Sequence, residues 1–194
     1  MIQLNSSVMY ETDLADFHSL GVSHLVFSSV AGADIAKSVE HFYSKFTIEE
    51  YIRASGLRWT VVRPVGFMEV IPPPGWGRYF FLSAMASLMG QTKQKYIACE
   101  DIGKAVAAAL LDPEKYDGKI NTIAGQVATL ANLEASLEKG EGVKSWGWKL
   151  WVPRWLLIKM TPYHYRQMFD VSFAMLPMFT VDLFANTAYS VAIL

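Results

Sequence analysis

Three short apolar segments, set apart by helical patterns, constrain the fold of this 194-residue chain more than any other feature. "SHLVFSSV" runs from Ser23 to Val30, "RWTVVRP" closes at Pro64, and "GKINTIAG" ends at Gly125. The middle of the first is continuously apolar rather than alternating, the pattern of a parallel strand covered on both faces. Strands that alternate with helical stretches require βαβ crossovers. The expected class is therefore α/β, with a parallel sheet and helices on its faces. Only about three strands are visible, against the five or six usual in a free-standing doubly wound sheet. The pattern fits half of such an architecture.

The helix signals are local and specific. Ser38 is the expected N-cap of a helix with Glu40 in its first turn, and Gly56 can take the left-handed conformation just past its end at Ser55. "TDLADFHSLGV" reads as a helix stopped by Gly21, and "YFFLSAMASLMG" as a short apolar helix after the rigid "IPPPGWGR". A helix from about Glu100 to Leu111 opens on acidic residues and stops at Asp112-Pro113. Thr129 caps a further helix that ends near Gly140. The expected division is an α/β domain over residues 1–140 and a small, mainly helical C-terminal lobe over 141–194. Trp148, Trp151 and Trp155 share helical spacing in that lobe, either as its core or as a pocket for an apolar substrate.

Charge and cysteine usage exclude several functions. The 17 basic and 18 acidic residues nearly cancel, leaving no electrostatic footprint for nucleic acid or acidic lipid. Cys99 is the sole cysteine, so no internal disulfide forms and no Cys/His spacing for zinc exists. It is expected to be a small buried apolar residue in a reducing compartment, the cytoplasm or the nucleus. The opening residues "MIQLNSSVMYETDLADF" lack the basic start and apolar core of a secretory signal, and none is expected there. Val171 to Leu194 is long and apolar enough to span a bilayer, but Asp182 lies at its centre. A mid-membrane aspartate costs about 2.5–3.5 kcal/mol on insertion scales, so a buried lobe or a partner-facing surface is expected instead of a span.

Candidate functional residues gather where an open α/β sheet binds ligands, beyond the carboxyl ends of its strands. Ser28 and Ser29 end the first strand and either hydrogen-bond a ligand or cap the next turn. Pro64, Val65, Gly66 and Phe67 leave the second strand. Gly66 permits a close backbone approach, and Phe67 can stack on a flat ring. On the intervening helix, His41, Lys45, Ile48 and Ile52 fall in one narrow sector. A lysine aimed along a buried stripe needs an anion or acceptors, unless it snorkels past the sheet edge. His41 is either a proton carrier or a hydrogen-bonded structural group. No tyrosine is followed four residues later by lysine, the pair that hydride-transfer reductases of this architecture use.

Three stretches together resemble the NmrA-like family of atypical short-chain dehydrogenase/reductases. They are "GVSHLVFSSVAGAD", "HFYSKFTIEEYIRASGLRWTVVRPVGFMEV" and "EDIGKAVAAALLDPEKYDGKINTIAG", within a region of similarity from about Asp13 to Leu137. The resemblance implies a Rossmann-type fold that binds NADP or NAD, with a small substrate lobe. It implies that Lys45 contacts the nicotinamide ribose and that Pro64 to Phe67 lie against the nicotinamide. Some members of the family reduce small molecules. Others lack the tyrosine and act as redox-sensing regulators that bind dinucleotide and a protein partner, and His41 in the tyrosine position resembles these.

The family's opening strand and Gly-x-x-Gly-x-x-Gly loop, which grip the pyrophosphate, have no counterpart in this sequence. A chain of this kind resembles a truncated member. It is expected to hold dinucleotide weakly and to expose the edge of "LVFSSV" to self-association.

Overall fold

The structure is a computed structural model. It describes residues 17, 19–90, 92–142, 153, 155, 156 and 159. The chain divides into two compact units. Of the described residues, the first takes those up to Val65 and Glu100–Ala124, and the second takes those between Gly66 and Cys99 and those from Gly125 onward. The C-terminal lobe expected from residue 141 lies almost wholly outside the described residues, as do Trp148, Trp151 and the apolar run from Val171.

The first unit is built on three strands, β1 (His24–Ser28), β2 (Arg58–Pro64) and β5 (Lys119–Ile123). They lie in the order β1-β2-β5, and both pairings are parallel. These are the three segments singled out in the sequence. β2 is central, and Thr60, Val61 and Val62 are buried on both of its faces. β1 is only half-buried, because among the described residues it pairs with β2 alone.

Helix α1 (Glu40–Ala54) makes the crossover from β1 to β2. Its Ile48 and Ile52 pack with Phe17, Leu25, Phe27 and Trp59. The helix ends as expected, with Gly56 at φ 75°. Its start differs from the expectation. Val39, not Ser38, is the N-cap, and no side chain caps the helix. Val39 is 1% exposed, so burial of its side chain sets the entry point in place of a capping hydrogen bond. Helix α3 (Cys99–Leu111) and the short α4 (Pro113–Tyr116) lead into β5, and Asp112 caps α4 as the Asp-Pro signal requires.

The second unit carries a small sheet, β3 (Gly66–Phe67), β4 (Gln94–Ile97) and β6 (Gln126–Ala128), in the order β3-β4-β6. β3 runs parallel to β4, and β6 runs antiparallel to it. α2 (Trp76–Met89) and α5 (Leu130–Glu141) complete the unit. Leu82, Tyr96, Ala128, Leu130 and Leu133 form its core. Thr129 caps α5 by accepting from the Asn132 amide at 3.2 Å. Among the described residues no helix is long and apolar enough to cross a membrane.

Candidate functional site

Parallel register brings the strand ends of the first unit together. Ser28 lies opposite Val62, and Pro64 lies opposite Ile123. Beyond the ladders, the Ser29 amide donates to the Val62 carbonyl at 2.8 Å and the Ala31 amide to the Pro64 carbonyl at 2.9 Å. The Val65 amide donates to the Ile123 carbonyl at 3.3 Å. These bonds fold the segment after β1 over the tip of β2. Ser28 is exposed at this tip, whereas Pro64 and Val65 are buried.

Lys45 reaches the same end of the sheet. Its Nζ stands 5.4 Å from the centroid of the Phe27 ring, one residue before Ser28. The side chain is half-buried, and desolvation pulls its pKa below the ordinary lysine value. Among the described residues no carboxylate pairs with it. A partly desolvated ammonium over an aromatic face, with no anion opposite, is a site suited to a negatively charged or hydroxyl-rich ligand.

His41 departs from the expectation that it continues the buried stripe. It is exposed, and its ring meets Phe42 edge-on at 6.1 Å. The first turn of α1 therefore carries Phe42 inward, and the buried face runs from Phe42 through Ile48, Glu49 and Ile52, with Lys45 half-buried at its margin.

The most tightly bonded cluster of the unit was not singled out in the sequence. Glu49, one turn after Lys45, is 0% exposed, and Arg63, one residue before Pro64, is 2% exposed. Arg63 donates to Glu49 through Nε at 3.0 Å and Nη2 at 2.7 Å, and to Asp34 through Nη1 at 2.9 Å. The Ser29 hydroxyl donates to Glu49 Oε1 at 2.5 Å, and Arg53 Nη2 lies 3.3 Å from Glu49 Oε2. Burial opposes the charge on Arg63. The hydrogen bond and charge of Glu49, followed by those of Asp34, outweigh it, and the guanidinium pKa is raised. Of the two serines, Ser28 is thus the one open to solvent, while Ser29 commits its proton to Glu49. A signal for this cluster exists in the sequence. Glu49 and Arg63 each stand inside an apolar stripe, where an ionised group requires a partner of opposite charge.

Gly66 and Phe67 belong to the second unit, where they form β3 beside Tyr96 and Ile97. A methyl at Gly66 would meet the Lys95 carbonyl oxygen at 3.4 Å, an ordinary contact. Strand pairing alone therefore does not demand glycine there. Phe67 is 39% exposed. Cys99 corrects the expectation of a buried thiol: it is exposed at the start of α3, with its amide donating to Glu69 Oε1 at 2.7 Å. A hydrogen bond to the Glu69 carboxylate, then burial, raise its thiol pKa. Among the described residues no group of acidic, histidine or cysteine side chains could hold a metal ion.

A parallel sheet with crossover helices and candidate ligand residues at its carboxyl ends is a Rossmann-type arrangement, and solved structures share it. A nucleoside-diphosphate-sugar epimerase from Staphylococcus aureus superposes with a TM-score of 0.63 at 19% identity, over 84% of this chain and 59% of that one. An NADPH-dependent quinone oxidoreductase from Escherichia coli, complexed with NADPH, gives 0.60 at 19% identity, over 87% and 60%. A mutant NmrA gives 0.60 at 17% identity, over 86% and 55%. The chain thus spans somewhat under two thirds of the length of these proteins. At the family level, residues 2–182 match the NmrA-like family, and the chain belongs to it.

Proposed function

We propose that this chain is a dinucleotide-binding, redox-sensing regulator of the NmrA-like type, with NADP or NAD held at the strand tips of the first unit. The observation that carries this reading is Lys45, a half-buried ammonium beside the end of β1 with no acidic partner among the described residues. Ribose hydroxyl and phosphate oxygens are the groups to which such a cation donates. Ser28 supplies an exposed hydroxyl at the same tip, and Pro64 and Val65 form the buried floor where β2 ends. Ser29 acts from behind, through Glu49. The nicotinamide supplies a transferable hydride when bound. What this chain offers for the accompanying proton is His41, exposed on the first turn of α1, in the position where the reductases place tyrosine.

A protein partner is part of this reading, as it is for the regulators that the chain resembles. Self-association is a further part of it. β1 has one unpaired side among the described residues, and Leu25, Val26 and Phe27 are half-buried there. A free edge beside apolar side chains pairs readily with another strand. Size-exclusion chromatography of the full chain at micromolar concentration is expected to show dimers or larger species. A single sharp monomer peak speaks against pairing through β1.

The functional test is a titration of the full chain with NADPH and with NADP+, joined to a turnover assay over carbonyl and olefin substrates. The sequence has no Gly-x-x-Gly-x-x-Gly run to hold the pyrophosphate, so we expect a Kd of about 10 μM to 1 mM, equivalent to roughly 4–7 kcal/mol. The two redox forms should bind with unequal affinity and without turnover. Sub-micromolar binding would refute the weak-binding expectation. Silence at millimolar nucleotide would remove the dinucleotide reading, and substrate-dependent NADPH oxidation would replace the regulator with a reductase.

A further inference from the structure

We infer that the buried Glu49–Arg63 pair is a positioning device for the proposed dinucleotide site, holding the helix that carries Lys45 in register with the strand ends at Ser28 and Pro64. The inference rests on the reading of that site given above. The juxtaposition behind it is specific. Three members of the cluster are near neighbours of proposed binding residues: Ser29 follows Ser28, Arg63 precedes Pro64, and Glu49 stands one helical turn from Lys45. Glu49 thus ties α1 to the tip of β1 through Ser29 and to the tip of β2 through Arg63. Asp34 extends the tie to the segment after β1.

The geometry distinguishes positioning from simple filling of space. Apolar side chains of similar volume often stabilise a buried site as well as an ion pair does, but they impose little directionality. Here one carboxylate takes two parallel bonds from a guanidinium and a third from a hydroxyl, which fixes the rotation of α1 and its position along the sheet. Arg63 is engaged by both Glu49 and Asp34, and Arg53, which pairs with Glu50 through Nη1, turns Nη2 toward Glu49. Lys45 is left as the cation not neutralised there. An ammonium one turn from Glu49 keeps its place over Phe27 only while α1 keeps that rotation.

The test reads Lys45 directly. In the full chain, the lysine ammonium is titrated by side-chain NMR in the wild type, in Glu49→Gln and in Ser29→Ala, with circular dichroism confirming the fold of each. Loss of the Glu49 charge by itself lowers the Lys45 pKa further, because a nearby anion has gone. Loss of positioning frees the ammonium into water and raises the pKa toward its ordinary value. We expect a rise of about half a unit or more in Glu49→Gln, and a smaller rise in Ser29→Ala, which deletes a single hydrogen bond. An unchanged or lowered value in a folded variant overturns the inference. Should Glu49→Gln fail to fold, Ser29→Ala decides by the same criterion. NADPH titration of the same proteins forms a separate arm, with about tenfold weaker binding expected for Glu49→Gln. If the wild type itself ignores NADPH, the dinucleotide reading fails while the Lys45 titration still judges the positioning role.

Discussion

Glu49→Ala lowers the unfolding free energy by about 3–5 kcal/mol, the cost of removing one partner from a buried ion pair. The carboxylate is 0% exposed and accepts from Arg63 twice, from Ser29 and from Arg53. Without it, Arg63 stays charged inside the unit with Asp34 as its remaining acceptor, and the Ser29 hydroxyl loses its partner. A domain of ordinary stability has about 5–15 kcal/mol in total, so the variant stands near the threshold of unfolding. Urea denaturation of wild type and variant, followed by circular dichroism, measures the difference. Glu50→Ala is the internal control. Glu50 is largely solvated and pairs with Arg53 on the surface, where ion pairs contribute about 0–1 kcal/mol. Equal, small losses from both variants would show that the buried cluster does not anchor α1.

Much of the first unit was legible in the sequence because its signals are local. The three strands, their parallel relation and the stop at Gly56 each follow from a short run of residues with one physical solution, as does the cap at Thr129 in the second unit. The second sheet was not legible in the same way. β3 is two residues long and β6 three, too short for any periodicity to register, and they form because β4 lies between them. Val39 displaced Ser38 as N-cap because burial of a whole side chain outweighed one exposed hydrogen bond.

The candidate site was half legible. Placing Lys45, Ser28 and Pro64 at the strand tips needed only strand polarity and helical spacing. The division of labour among neighbours needed coordinates. A helical wheel places Lys45 and Glu49 on adjacent positions of one face, yet it does not show that Glu49 is wholly buried under Arg63 while His41 turns to solvent. Buried charges are legible only as pairs. A strand arginine and a helix glutamate fourteen residues apart become a pair once the crossover is built.

The claim on which the functional reading stands is that Lys45 is an unsatisfied cation awaiting an anionic or hydroxyl-bearing ligand. Lys45→Met keeps an apolar stem over Phe27 and deletes the charge. A hydrogen bond to a charged group contributes about 1.5–3 kcal/mol, so NADPH affinity should fall by about ten- to a hundredfold. Desolvation holds the Lys45 pKa low, which means that the folded chain carries the ammonium at some cost. The same substitution should therefore leave the denaturation midpoint unchanged or raised. The decisive measurement is the NADPH affinity of Lys45→Met, by NMR titration beside the wild type, together with its urea midpoint. Weakened binding with undiminished stability is the predicted result; unaltered binding, or a loss of stability with no loss of affinity, would contradict it.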